Sequence, residues 1–246
     1  MLFCVACNKN KTSEKESVAL SDVEQFLQVV QKVEDAQSFY CIAEGQTKSL
    51  GVKQQISARR YVNGDTMFKE SISYSKLVKV ATQVYVANGK YLIRESHKVN
   101  SITSVLWQGH VTDIGQEEYN NRYGSVILGL NNFIINKDVI TSLTLTESEN
   151  GKVFVVNLNV DTATKNMVKE MKTNASSKSE PTFSVVKFTV TTNSSLEVVS
   201  VRYESVYKVE IAVLGNVECE EDMTEYFYGF NQTNAFDEQS FFEKYL

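Results

Sequence analysis

A chain of 246 residues with 42% hydrophobic and 22% charged side chains has the composition of a folded protein, too apolar for wholesale disorder and too polar for a polytopic membrane protein. Thirty acidic against twenty-five basic side chains give a formal charge of -5, without the basic excess that neutralising phosphates requires, so nucleic acid is disfavoured as a partner. No run of ~20 apolar residues occurs, so no segment spans a bilayer as a helix, and any membrane attachment is covalent or peripheral.

In chain order, an apolar stub, Met1 to Cys7, runs into the polar stretch Asn8 to Ser17. Val5-Ala6-Cys7 resembles the end of a bacterial lipobox, in which the cysteine is lipidated and becomes the mature N-terminus; Cys7 is then the anchor. Cys4 stands where a lipobox carries Leu, and no cationic n-region precedes it, so this reading requires a truncated signal with residues 1–20 as its remnant and a polar tether. Cys4-Val5-Ala6-Cys7 also matches the C-x-x-C redox spacing, which needs a strand before it and a helix beginning at it to lower the thiol pKa. An uninformative apolar start is the third reading.

Ser21 with Glu24 forms an S-x-x-E capping box ahead of Val23, Phe26, Leu27, Val30 and Val33, which predicts an amphipathic helix over residues 22 to 35. The period then changes to two. Val52, Ile56 and Ala58 alternate with Lys53, Gln55, Ser57 and Arg59, and Asn63-Gly64 and Asn88-Gly89 supply the positive φ angles of tight turns, so two hairpins are expected between residues 52 and 95. Tyr119, Tyr123, Val126, Ile127 and Leu130 recur at helical spacing, interrupted by Gly124 and Gly129, which predicts a short or broken helix between Gly115 and Phe133. Five strands are expected at 153–160, 183–191, 196–203, 206–214 and 224–230, with a helix over 162–173 followed by a linker that ends at Pro181. Phe236, Phe241, Phe242 and Tyr245 form an aromatic tail that would cap a sheet or dock on the core.

This order predicts an α+β fold: one large curved antiparallel β-sheet, a half-open barrel, with helices packed on its concave face and residues 21–246 as a single domain. Helices over an incompletely closed sheet would leave an apolar hollow, and Phe68, Ile72, Tyr74, Tyr85, Tyr91 and Trp107 are candidates to line it, although aromatics on alternating strands more often fill a core.

Signals of catalysis are weak. His97 and His110 stand outside any H-E-x-x-H or metal-ligand spacing, and neither a G-x-S-x-G elbow nor a Gly-rich phosphate loop occurs, so no catalytic residue, metal or cofactor is assigned. Glu218, Glu220, Glu221 and Asp222 lack the alternation and central glycine of a calcium loop and read as a solvated turn. Cys41 and Cys219 read as buried free thiols, a disulfide requiring Cα atoms within ~7 Å. The Asn-x-Ser/Thr sequons at Asn174, Asn193 and Asn231 are what chance provides in a chain rich in these residues.

The element order, the segment from Tyr123-Gly124 to Ile135 and the hairpins between Val185 and Tyr228 together resemble the LolA/LppX-like lipoprotein superfamily over residues 20 to 232. The resemblance implies a half-closed β-barrel whose concave face shelters lipid chains, in an extracytoplasmic protein held to the outer face of the cell membrane by its N-terminal lipid. It implies a binder of a lipid or other hydrophobic ligand that does no chemistry, the alternative being a structural or sensory envelope protein that meets other surface proteins. The superfamily has no binding motif to transfer residue by residue.

Overall fold

The structure, a computed structural model, describes residues 20–107, 111–123, 133–174, 180–211 and 215–230. Cys7, His110, most of the Tyr123–Ile135 segment and the aromatic tail lie outside the described residues.

Helix α1 (Asp22–Glu34) begins where the capping box places it: the Ser21 hydroxyl accepts from Glu24 N, and the Glu24 carboxylate accepts from Ser21 N at 2.8 Å. Two orphan amides of the first turn are thereby satisfied. The chain then lays down β1 (Ser38–Ser49), β2 (Val52–Asn63), β3 (Thr66–Tyr74), β4 (Lys79–Ala87) and β5 (Lys90–Ser96) as a meander. The short β6 (Val99–Ser101) and β7 (Ser104–Val105) pair with each other, and β8 (Thr112–Asp113) pairs with β5. Helix α2 (Gly115–Tyr123) precedes β9 (Ile140–Ser148) and β10 (Gly151–Leu158), then α3 (Val160–Ala163) and α4 (Lys165–Asn174), then β11 (Thr182–Thr192), β12 (Val198–Ile211) and β13 (Gly215–Tyr228).

The main sheet runs β8-β5-β4-β3-β2-β1-β13-β12-β11-β10-β9, antiparallel throughout and open, since its edge strands β8 and β9 do not meet. The expected large, unclosed antiparallel sheet with a few helices is present. Its central seam, β1 on β13, joins the first strand to the last, so the two meanders become one sheet only through a contact distant in sequence.

Asn88 and Gly89, both with positive φ, make the predicted two-residue turn between β4 and β5. The neighbouring turn is displaced by one residue: Asn63 pairs with Thr66, and the loop is Gly64-Asp65 with Gly64 alone at positive φ. Strand β1 escapes the sequence pattern because its turn is Leu50-Gly51, which puts a leucine at φ 49°, a conformation that bulky residues rarely adopt. Strand β9 is likewise additional. The expected strands 196–203 and 206–214 are one strand, β12, because Glu204 and Ser205 continue the ladder opposite Asp222 and Glu221. The expected helix over 162–173 divides into α3 and α4 at Thr164, whose hydroxyl donates back to Val160 O at 2.7 Å.

The acidic run is corrected from a solvated turn to the interior of β13. Glu218, Glu220 and Asp222 alternate onto one face, where Lys208, Lys48 and Arg202 meet them, and Glu221 points to the other. Cys41 and Cys219 are free and buried. Cys41 lies opposite Phe227, eight residues along β13 from Cys219, which is roughly 27 Å at the rise of an extended strand and far beyond disulfide reach.

Candidate functional site

Directly paired residues of an antiparallel ladder share a face, so the register assigns every strand residue to one side of the sheet. The inner face is the helix-covered one. Along β9 to β13 and β1 it carries Phe154, Val156, Val186, Phe188, Val190, Val201, Phe227, Phe39 and Cys41, in one apolar cluster with Phe26, Val29, Val30 and Val33 of α1. Phe26 meets Phe154 at 5.7 Å between ring centroids, and Phe133 meets Phe188 and Tyr203 at 5.3 and 5.2 Å. On β4 and β5 the same face carries a smaller cluster, Val84 and Ile93, capped by Tyr119 of α2. Helices α2 and α4 pack against each other over this face. Between the two clusters run Lys69, Ser71 and a buried ion pair, Arg60 with Glu225 at 2.7 Å. Part of the inner face therefore carries charge that a uniformly apolar hollow would not.

A cavity of about 470 Å³ opens between α3, α4 and the start of β11. Val160, Val168, Pro181 and Phe183 provide its apolar surface; Asp161, Thr164, Lys165, Lys169, Glu180 and Thr182 provide polar atoms. Its frame is fixed by hydrogen bonds: the Asn159 side chain accepts from Thr162 N and caps α3, and Ile134 N donates to Ala163 O. The volume falls within the range of small-ligand sites, which run roughly 300–1,000 Å³.

Beside this cavity the Phe183 ring lies 5.1 Å from that of Tyr207. Tyr207 begins a polar cluster on the inner face of β12 and β13: Tyr203, Ser205, Tyr207, Cys219 and Glu221, with Ser205 directly opposite Glu221 and Tyr207 opposite Cys219. Removal from water pushes the half-buried Glu221 carboxyl up to about 7, partly offset by the Ser205 hydroxyl. Burial, and then the Glu221 charge, raises the Tyr203 and Tyr207 phenols as well. Ser205 (2% exposed) and Tyr203 (6% exposed) are buried beside it, with the Ser205 hydroxyl in hydrogen-bonding reach of both Glu221 and Tyr203. Sequence reasoning assigned Glu221 to a solvated turn; the signal that could have found it was the odd-even alternation of acids through 218–222.

The six residues expected to line a hollow do not share a face. Phe68, Ile72, Tyr74 and Tyr85 lie on the outer face, where Tyr228, Tyr40, Tyr61, Phe68 and Tyr85 pair in succession across five adjacent strands. Trp107 joins them, packing with Ile72, Ala81 and Val99 under the β6-β7 hairpin and stacking 5.5 Å from the Arg94 guanidinium. Tyr91 alone is on the inner face, 5.1 Å from Tyr119. Next to the outer aromatic row, Arg59 donates to Glu70 at 2.6 and 2.9 Å and Gln83 donates to the other Glu70 oxygen at 2.7 Å, a buried network that locks three strands.

His97 is exposed. Among the described residues no group of three or more His, Cys, Asp and Glu is placed to hold a metal ion, and no helix is long and apolar enough to cross a membrane, which does not bear on spanning by strands.

No protein-family model matches the sequence, and no curated protein matches it. Among solved structures, the chain is similar to a LolA superfamily protein from Nitrosomonas europaea (8% identity, 89% of this chain and 98% of that one, TM-score 0.29). It is similar also to a domain described as that of an outer membrane lipoprotein-sorting protein from Vibrio parahaemolyticus (11% identity, 90% and 96%, TM-score 0.29). A third likeness is to a DUF1329 family protein from Desulfovibrio piger (10% identity, 92% and 100%, TM-score 0.30). At such TM-scores these likenesses carry nothing about ligand or role. The chain's own architecture is an open antiparallel sheet with helices on one face.

Proposed function

We propose that the protein is an extracytoplasmic binding module that holds a lipid or another amphiphile between its helices and its sheet without altering it, on a chain tethered to the membrane through Cys7. Residues 21–246 act as one domain in this reading, and residues 1–20 supply the anchor and tether. The observation that carries it is the cavity of about 470 Å³ between α3, α4 and β11, where Val160, Val168, Pro181 and Phe183 offer an apolar surface open to ligand at the margin of the α1 core. Burial of alkyl groups there would drive binding at about 0.8 kcal/mol per methylene. Tyr91 borders the helix-covered side, whereas Phe68, Ile72, Tyr74, Tyr85 and Trp107 fill the outer layer.

The test is calorimetric titration of dodecanol into the protein and into Val168→Trp, which fills the cavity. Tight binding by the wild type that is lost in the variant supports the reading. No binding, or equal binding by both, ends it. For the anchor, replacement of Cys7 should release the protein from membranes; continued membrane retention would end the lipoprotein reading.

A second reading, a surface protein that presents a sheet face to other envelope proteins, is favoured by the outer-face tyrosines Tyr226 and Tyr228, which are 45% and 50% exposed. Replacing both with serine would abolish partner capture in that case and leave dodecanol binding intact.

A further inference from the structure

The two edges of the main sheet are finished differently. At one, β8 pairs with Leu92 and Ile93 of β5, and the rest of that margin is held by neighbouring chain: Arg94 donates to Trp107 O at 3.1 Å, Ser96 to Leu106 O at 2.7 Å and Ile114 N to Tyr91 O at 3.0 Å. At the other, β9 pairs with β10 and, among the described residues, with no strand on its far side. A sheet edge offers a row of unpaired amides and carbonyls to any strand that fits it, and proteins that keep an edge single blunt it with lysine, proline or short length. Strand β9 has none of these devices. Its nine residues, Ile140–Ser148, include no Lys, Arg or Pro, and its one charge, Glu147, is matched within the sheet by Lys152 at 2.5 Å. The one shift of register lies at its start, so that Ser142–Ser148 run in unbroken ladder with β10. Helix α1 seats Phe26 and Gln25 on Phe154 and Lys152 of β10, one strand in from this margin.

We propose that β9 is the seam of a symmetric dimer, in which it pairs antiparallel with β9 of a second copy of this chain about a two-fold axis at Thr144. The occupant is another copy because the strand is complementary to itself. About that axis Thr144 faces Thr144, Ser142 faces Thr146, and Leu143 faces Leu145 of the second copy. Opposed residues of an antiparallel pair share a face, so four leucines meet on the inner side. Leu143 and Leu145 are only partly buried, at the rim of the α1 core, and the seam would join the two cores through them. Threonine and serine meet on the outer side, where cross-strand hydroxyl pairs are favourable. The two Glu147 carboxylates stand six residues apart along the seam, roughly 20 Å, each still beside its own Lys152. Moving the axis to Leu145 would set Leu143 against Glu147, and moving it to Leu143 would set Leu145 against Thr141 at the irregular end of the strand. Each copy uses its one open edge, so association closes at two. The seam lies two strands from β11 and its cavity, and the proposal does not depend on what that cavity holds.

The experiment follows the molar mass of the full chain by sedimentation over a concentration series, with Cys4→Ser and Cys7→Ser in place to remove the terminal thiols. A reversible dimer is expected. Thr144→Lys, at an exposed position, sets two ammonium groups face to face on the axis and should weaken the dimer at least about tenfold, whereas Thr112→Lys on the opposite edge should leave it unchanged. A cysteine pair tests the register independently, and decides the matter if Thr144→Lys does not fold. Thr144→Cys should give a covalent dimer on oxidation, because opposed Cα atoms stand roughly 4.5–5.5 Å apart, within disulfide reach. Ser142→Cys should not, since its two copies would be roughly 14 Å apart. A parent chain that stays monomeric up to about 1 mM overturns the proposal. So does a dimer equally tight in folded Thr144→Lys, a series that grows beyond two copies, or cross-linking as efficient through Ser142→Cys as through Thr144→Cys.

Discussion

The halves of the sheet on either side of the β1-β13 seam bury different surfaces. Along β9 to β13 the inner face is packed by α1 and the outer face is left to water, with a ladder of charges: Lys187 meets Glu204 at 2.9 Å, and Arg202 grips Asp222 with two bonds of 2.9 Å. Along β2 to β5 the outer face is the more deeply buried, holding Tyr61, Phe68, Glu70, Ile72, Ala81 and Gln83, while the inner face mixes Val84 and Ile93 with Lys69, Ser71 and Thr82. One continuous ladder thus carries two cores on opposite sides. A strand's alternation shows that its faces differ; which face is buried is decided by what packs against it.

If that division is right, the largest loss should come from Phe26→Ala, which empties the centre of the α1 core beside Phe154: about 3–5 kcal/mol, read as a lower urea midpoint with unchanged slope. The outer core of the other half should be broken next most easily by Glu70→Ala. Gln83 and Arg59 would be left without their shared carboxylate, at about 2–4 kcal/mol, and the double variant with Arg59→Ala should be less than additive.

A smaller effect distinguishes the inner face through pH. The folded-state pKa of Glu221, about 7, exceeds its ordinary value of 4.5, so the folded state holds its proton more tightly than the unfolded chain. Its contribution to stability is therefore full below pH ~4.5 and is lost as pH rises through about 7, on the order of 1–2 kcal/mol after allowing for partial exposure. Urea midpoints at pH 5 and pH 8 should differ by less in Glu221→Gln than in the wild type; equal differences would remove Glu221 from the buried set. Asp222, held low by Arg202 on the wet face, contributes with the opposite sign: its share is present above the ordinary carboxylate pKa and is lost on acidification. Smallest of all, Tyr226→Ala on the exposed outer face should change stability by no more than about 0.5 kcal/mol, and a larger loss would show that face to be covered.

Local chemistry alone determined several parts of this protein. Ser21 and Glu24 set the start of α1 because a capping box needs only four residues, and Asn88-Gly89 set a hairpin because its φ angles are a property of those residues. The alternation of Phe183 to Thr191 was enough to place β11, and the order of the elements was enough to predict an antiparallel sheet with helices. The tertiary structure decided what depends on partners distant in the chain. Strand β1 is a strand because β2 and β13 pair with it on both sides, over a Leu-Gly turn with no strong signature. The acids of β13 are ladder residues because Lys48, Arg202 and Lys208 stand opposite or beside them. Phe68 and Tyr91 are alike in sequence character yet lie on opposite faces, because register between neighbouring strands, which a single chain's pattern does not encode, fixes the side each occupies.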